Sequence, residues 1–414
     1  MNKNKLWSRD YTKITLATIL TAIGGEALMI PLSLMVFKQT SSTLLSAIIM
    51  ISGVLPDTLI ILLFAPIVER SDKRVVLVIC EVLQVITYVA MAILSFDRFI
   101  YSEYLIFSLV IASISAVYRT AYNSLLVDCI PVGCEQKGYS IFAMIYPTVI
   151  LLMAPVGTYL FQHFEMYIFF LATAALTLAA IPFIRSISVS GRIKENEGVS
   201  YTFKQYKIDL KEGIDFYRRE KGIRNINTYI SITSAGSESI QLLLQAYIQS
   251  SPWIPLTVFG FIKTAEMTGR LVGGFVQYVK KIPAEARFAL TVAVYLFYDF
   301  SDTFLLFLPI AIIIFLRFSS GFLGQISATI RMTATMNYLP KNYRARTTAI
   351  QNMLYSIFYI IFQLFTGILG EFLPYKYVAA MTGAIILISM YLLIIKGKKH
   401  TKPVYSAERV EEAT

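Results

Sequence analysis

The sequence predicts an all-α membrane protein of twelve transmembrane helices, arranged as two pseudo-symmetric six-helix halves. Three observations carry that prediction. Apolar runs of about 20 residues recur along the whole chain, each long enough to cross roughly 30 Å of hydrocarbon. The 414 residues are 56% hydrophobic and only 15% charged. A soluble domain carries about 25% charged residues, so a water-soluble fold of this chain would lack polar surface. Polar residues also recur within a few residues of one offset. Glu238 follows Glu26 by 212 positions and Glu266 follows Asp57 by 209; Lys280 and Lys281 answer Lys73 and Arg74, and Pro340 and Arg346 answer Pro131 and Lys137.

In order, the first-half spans fall at 12–37, 44–67, 75–94, 104–126, 139–161 and 166–184. Those of the second half fall at 226–248, 254–278, 286–299, 303–332, 347–368 and 376–395. The chain thus divides into a half at 1–184, a linker at 185–225, a second half at 226–396 and a tail at 397–414. Residues 1–10 are polar and basic, and the run after them lacks a small-residue cleavage site, which reads as a first span rather than a cleaved signal. Only Lys38, Arg98 and Lys376 fall on the outer loops, whereas most of the 37 lysines and arginines fall on the other side. The positive-inside rule then sets both termini in the cytoplasm of a multi-pass cell-membrane protein. It also accounts for the net charge of +11 without a nucleic-acid partner. In the linker, Phe203, Tyr206, Leu210, Ile214 and Tyr217 recur at helical spacing among Lys204, Lys207, Lys211, Arg218 and Arg219, the pattern of an amphipathic helix on the inner membrane surface.

An ionisable residue at bilayer depth is costly and marks a pathway or an ion pair. Glu26 lies mid-span one, with Pro31 shortly after it, and Asp57 lies mid-span two. In span four Arg119 needs a carboxylate, a substrate anion or water; Glu26, Asp57 and Asp128 are its candidate partners, and Tyr122 and Asn123 extend the polar stretch. Glu238, Gln241 and Gln245 are spaced to share one face of span seven. Lys263, Glu266 and Arg270 share a face of span eight, where Glu266 and Arg270 are placed to pair and cations exceed acids. Arg317 and Arg331 lie in span ten. Glu81, two turns into span three, is placed to brace Arg70 or Arg74.

Other chemistry is absent from the sequence. There is no Walker-type phosphate loop and no hydrolase nucleophile motif, so the chain does not read as an enzyme. His163 and His400, the only histidines, lie far apart, which speaks against a metal centre; no cofactor is expected. Cys80, Cys129 and Cys134 form no disulfide framework.

Thr40-Ser41-Ser42, Pro56 and the loop Glu69-Arg70-Ser71-Asp72-Lys73-Arg74 resemble the first motif of the major facilitator superfamily, especially its drug-exporter branch that includes macrolide efflux proteins. The segment from Pro340 through Arg344 to Arg346 is similar to the family's Pro-x-x-x-x-Gly-Arg loop, with Ala345 in place of the glycine. Leu210 to Ile214, followed by Tyr217-Arg218-Arg219, is similar to its helix before span seven. Span five reads Ala154-Pro155-Val156-Gly157, with fewer glycines than the family's antiporters carry there, and Ala65 and Pro66 stand at the first-motif glycine. The resemblance implies a cavity lined by spans one, four, seven and ten. Glu26, Arg119, Tyr122, Asn123, Glu238, Gln241, Gln245 and Arg317 would then bind substrate or couple transport. Asp57, Lys263, Glu266 and Arg270 would flank or gate the cavity. Glu69, Arg70, Asp72, Lys73, Arg74, Glu81, Arg344 and Arg346 would form a cytoplasmic gate.

The function expected is secondary active transport: proton-coupled export of a medium-sized organic compound, a drug or a metabolite, by alternating access. The protein is read as a monomer whose partners are that substrate, protons and the lipid bilayer. One alternative is an exporter or flippase of an anionic lipid-like or metal-chelating metabolite, favoured by the intramembrane cations. Another is a non-transporting membrane sensor or scaffold, which would have no need of opposed midplane charges.

Overall fold

The computed structural model describes residues 6–131, 133–188, 203–279 and 282–407. They form fourteen α-helices and no strand: α1 Arg9–Thr40, α2 Thr43–Arg70, α3 Lys73–Leu94, α4 Tyr101–Cys129, α5 Glu135–Phe161, α6 Met166–Arg185, α7 Phe203–Arg219, α8 Lys221–Gln249, α9 Thr257–Val279, α10 Ala284–Phe304, α11 Ile310–Tyr338, α12 Lys341–Phe372, α13 Tyr375–Met390 and α14 Lys398–Tyr405. Among the described residues, nine of these helices are long and apolar enough to cross a membrane. Of the other three expected spans, α2 has many side chains outside the described residues, and α8 and α9 are long helices outside that set. Their composition explains it: α8 carries Glu238, Gln241 and Gln245, and α9 carries Lys263, Glu266 and Arg270.

Helix ends follow from local chemistry. Ser8 caps α1 by accepting a hydrogen bond from the Tyr11 amide at 3.1 Å, with Asp10 in the first turn. The helix stops at Ser41, whose φ of 50° is left-handed. Asp72 caps α3 by accepting from the Arg74 amide at 3.0 Å. The Arg74 side chain also donates to Asp72, which holds its carboxyl below the usual carboxylate range.

The chain divides into two compact units. In the first, α1 packs on α6, α5 and α4, and α3 packs on α6 and α4. In the second, α8 packs on α13 and α12, and α10 packs on α13 and α11. The pairings α1–α6, α1–α5, α3–α6 and α3–α4 therefore recur as α8–α13, α8–α12, α10–α13 and α10–α11. A glycine stands at the matching place in two of these pairings. Thr173 of α6 donates to the carbonyl of Gly24 in α1 at 2.9 Å. Gly236 of α8 faces Thr382 of α13, whose methyl would lie 3.7 Å from a Cβ at that glycine. Gly236 follows Gly24 by the same 212 positions that separate Glu238 from Glu26. Each glutamate thus sits two residues past a glycine that seats its helix against the last spanning helix of its own unit.

The second unit also holds the first turn of α2, Ser42–Ala47. Ser42 caps α2 by accepting from the Leu45 amide at 3.0 Å, and Glu371 of α12 adds to that end, accepting from Ser42 Oγ at 2.7 Å, Leu44 N at 2.9 Å and Thr43 Oγ1 at 3.2 Å. The amphipathic linker helix forms as α7, and its described face rests on protein. Phe216 stacks on Tyr343 of α12 at 4.3 Å, Glu212 pairs with Arg346 at 2.5 Å, and Tyr217 is buried, which pushes its phenol up. The tail folds into α14, which buries Thr401, Val404 and Tyr405 against α8, α10 and α11.

Within the second unit α9 and α11 cross with their backbones in contact. A Cβ at Gly321 would overlap the carbonyl oxygen of Glu266, and Cβ atoms at Gly269 and Gly273 would overlap the carbonyls of Phe318 and Phe322. Small residues spaced four apart are what allow such an approach in a membrane. Gly321→Val is expected to cost about 1–3 kcal/mol or more through overpacking, read as a lower melting temperature in detergent. A wild-type melting temperature would show that the crossing yields.

Candidate functional site

In the second unit the polar residues converge on α8, α9, α10 and α11. Asp302 is 1% exposed and Arg317 is 3% exposed. Their side chains pair at 3.2 Å, and Ser237 of α8 donates to Asp302 at 2.6 Å. One turn back on α10, Asp299 is wholly buried and accepts from Tyr229 at 2.9 Å and Thr233 at 3.1 Å, both on α8. Glu266 and Arg270 pair at 2.8 Å along α9, as their spacing allows. Glu238 is exposed and lies within electrostatic reach of Arg317, Arg270, Tyr355 and Tyr359. The glycine crossing of α9 and α11 brings the Glu266 backbone against Gly321, one turn from Arg317. Arg317 keeps Nε and Nη2, and Gln241 keeps Nε2, without a hydrogen-bond partner among the described residues.

Two sequence expectations change here. The sequence places Asp299 at the end of a short ninth span and Asp302 in the break after it, but α10 continues to Phe304 and a 3₁₀ turn, Leu305–Phe307, follows. With both acids inside, the unit holds four carboxylates, Glu238, Glu266, Asp299 and Asp302, beside Lys263, Arg270 and Arg317, and the expected surplus of positive charge disappears. The signal available in the sequence was Tyr298, Asp299, Ser301, Asp302 and Thr303, a polar run with apolar residues on both sides. Gln245 keeps its place on the face of α8 that carries Glu238 and Gln241; it is 2% exposed, and its amide donates to Gln249 at 3.3 Å. Arg331 donates to the Tyr295 hydroxyl at 3.4 Å, and Tyr295 meets Tyr405 of α14 at 3.0 Å.

In the first unit Glu26 is partly buried on α1, and Arg119 is exposed on α4. Both act electrostatically on Tyr146 of α5. Ile19 and Ile23, on the Glu26 face of α1, join Ile141, Met144, Thr148 and Leu152 of α5 in lining an apolar cleft of ≈ 400 Å³. Tyr122 is occupied by Thr18 at 2.7 Å and stacks on Tyr118 at 5.8 Å, while Asn123 is exposed.

The expected gate residues divide. Glu81 is wholly buried and faces the Tyr118 hydroxyl at 3.5 Å; it does not brace Arg74. Arg74 pairs with Asp72 at 3.0 Å and donates to the Ile187 carbonyl at 2.7 Å. Lys73 is buried and donates to the carbonyls of Val68 at 2.7 Å and Ser71 at 3.0 Å. Arg344 donates to the Leu339 carbonyl at 3.3 Å, and Arg346 is held by Glu212 of α7. The side chains of Asp57, Glu69 and Arg70 lie outside the described residues.

Breaking one side of a buried ion pair leaves the other charge stranded, at a cost of roughly 3–5 kcal/mol. Asp302→Asn or Arg317→Gln alone is therefore expected to lower thermal stability markedly, and the double variant to recover a large part of the loss. Equal, additive losses in that double-mutant cycle would mean that the pair contributes no coupling.

The description Major Facilitator Superfamily matches residues 14–298 and 286–413. Solved structures share the fold at low identity. The nucleoside transporter NupG is 10% identical at a TM-score of 0.68, covering 94% of this chain and 99% of its own. A bacterial homolog of the human lysosomal transporter Spinster, in an inward-facing and unoccupied conformation, is 13% identical at 0.64 and covers 100% of both. The peptide transporter POT in complex with sulfate is 11% identical at 0.68, covering 95% of each chain. No curated protein matches the sequence. The family match spans nearly the whole chain, and with nine helices among the described residues long and apolar enough to cross a membrane and charges buried beside them, it follows that this chain belongs to the major facilitator superfamily and is a multi-pass membrane transporter.

Proposed function

We propose that this transporter exports a medium-sized organic compound, a drug or a secreted metabolite, by alternating access, and that proton entry drives the cycle. The observation that supports this reading is the matched placement of Glu26 and Glu238. Each stands two residues beyond a glycine–threonine helix contact, each is at least partly accessible, and each has arginines nearby. A carboxylate in that setting binds a proton when its charge is isolated and loses it when a cation or water approaches. The apolar cleft beside Glu26 suits an amphipathic cargo. Both termini lie on the cytoplasmic side in this reading, so α7 and α14 stand at the inner face, where their lysines and arginines satisfy the positive-inside rule.

The balance of acids and cations in the second unit removes the reason for a purely anionic cargo. The two unpartnered donors of Arg317 remain the observation in favour of that alternative. A carboxylate on an otherwise apolar or zwitterionic substrate would take them up. A non-transporting sensor is disfavoured, because buried charges at this depth are costly to keep and a scaffold has no use for them.

The test is flux in proteoliposomes under an imposed pH gradient, with a radiolabelled macrolide and a fluorescent amphipathic dye as probes. Glu26→Gln and Glu238→Gln are each expected to lower gradient-driven flux by roughly tenfold or more, an energetic loss of about 1.4 kcal/mol or more, while equilibrium exchange persists. Wild-type flux in both variants would remove these residues from coupling. Arg119→Gln is expected to impair acidic substrates selectively; an equal loss for every substrate, with a lower folding yield, would mark Arg119 as structural.

A further inference from the structure

The carboxylates of the second unit do not have equivalent surroundings. Asp302 is balanced by Arg317 and Glu266 by Arg270, and Glu238 is exposed. Asp299 is wholly buried, and its two hydrogen bonds come from neutral hydroxyls, Tyr229 to Oδ2 and Thr233 to Oδ1. No cation pairs with it among the described residues.

The groups around it come from every element packed on α10. From α8 there are Tyr229, Thr233 and, one turn on, Ser237, which serves Asp302. From α10 itself there are Asp302 and Tyr295, and Thr303, which bonds to the Asp299 carbonyl. From α11 come Arg317, which pairs with Asp302 through Nη1 and keeps Nε and Nη2 without a hydrogen-bond partner among the described residues, and Arg331, which donates to Tyr295. From α14 comes Tyr405, bonded to Tyr295. The face of α13 offers Thr382 and Gly383, with Gly383 against Thr303; its lysine, Lys376, lies at the far end of that helix.

We propose that Asp299 is a reversible proton-binding site inside the second unit, separate from Glu26 and Glu238 and formed by the carboxylate with the hydroxyls of Tyr229 and Thr233. The inference deepens the proton-coupled reading by naming where a proton resides. A bare carboxylate with no counter-charge is expensive in a low-dielectric interior. Backbone amides or a guanidinium would favour the ionised form alone. A hydroxyl is both donor and acceptor, so each partner can donate to the carboxylate and, after turning about its C–O bond, accept from the carboxylic acid. The cage therefore accommodates both protonation states without moving a helix. Binding forms one O–H bond at Oδ1 or Oδ2 with a proton taken from water, and release returns that proton to water, with no oxidant or other reactant involved.

The experiment is difference infrared spectroscopy on the full-length protein in phosphatidylcholine liposomes, with the proton itself as probe and pH as the variable. The wild type is expected to show a protonated-carboxyl stretch that comes and goes with pH. Asp299→Asn is near-isosteric, its amide oxygen accepting from one hydroxyl and its NH2 donating to the other; it is expected to lose that band while retaining a wild-type melting profile. Asp302→Asn and Glu238→Gln are expected to retain it. Tyr229→Phe and Thr233→Val are expected to shift its midpoint, and Asp299→Glu to restore a titrating band. A band that survives in Asp299→Asn, or a wild type with no titrating carboxyl, overturns the inference. A titrating Asp299 in a protein whose flux ignores the pH gradient supports the site and overturns the proton-coupled function. The two failures are therefore distinguishable.

Discussion

Everything distinctive in this chain depends on one constraint: a charge placed at bilayer depth must be answered inside the protein. Hydrocarbon offers no hydrogen bonds, and an unanswered ion costs several kcal/mol. The answers tie helices together. Asp302 joins α10 to α11 through Arg317 and to α8 through Ser237; Asp299 joins α10 to α8 through Tyr229 and Thr233. Where the hydrophobic effect supplies no drive between spanning helices, packing and such bonds hold a bundle together. The cluster that forms the candidate site is therefore also part of the framework of its unit.

Close packing supplies the register in which those answers work. Gly269, Gly273 and Gly321 let α9 and α11 meet backbone to backbone, which brings Glu266 and Arg270 alongside Arg317. Gly24 against Thr173 in the first unit and Gly236 against Thr382 in the second do the same for α1 and α8. A Cβ at Gly236 would run into the Ile386 side chain of α13, and one at Gly24 would touch Leu176 and Thr173 of α6. The repeated polar residues and the repeated helix pairings are thus two expressions of one duplicated packing scheme.

The flanking helices have a similar double nature. Amphipathic α7 has the composition of a surface helix, yet Glu212, Phe216 and Tyr217 bind it to the second unit through α12 and buried contacts. In α14, Tyr405 reaches Tyr295, and Tyr295 receives a bond from Arg331, so the end of the chain takes part in the polar interior of α10 and α11. Basic residues on the outer faces of both helices meet the needs of topology, and their buried aromatic residues meet those of packing.

The sequence by itself determined the helical membrane class, the repeat and the position of Glu26, Glu238, Glu266, Arg270 and Arg317 within apolar segments. These follow from composition, span length and period, which are local properties. Tertiary structure decided which charges meet. It carried α10 past the expected end of a span, put Asp299 and Asp302 inside, and turned an apparent excess of cations into a balanced set. It put Glu81 in a buried place by Tyr118 rather than beside Arg74, and it buried Gln245. Linear spacing could not reveal this, because the partner that makes a buried charge tolerable stands on another helix, as Arg317 does for Asp302 and Tyr229 for Asp299.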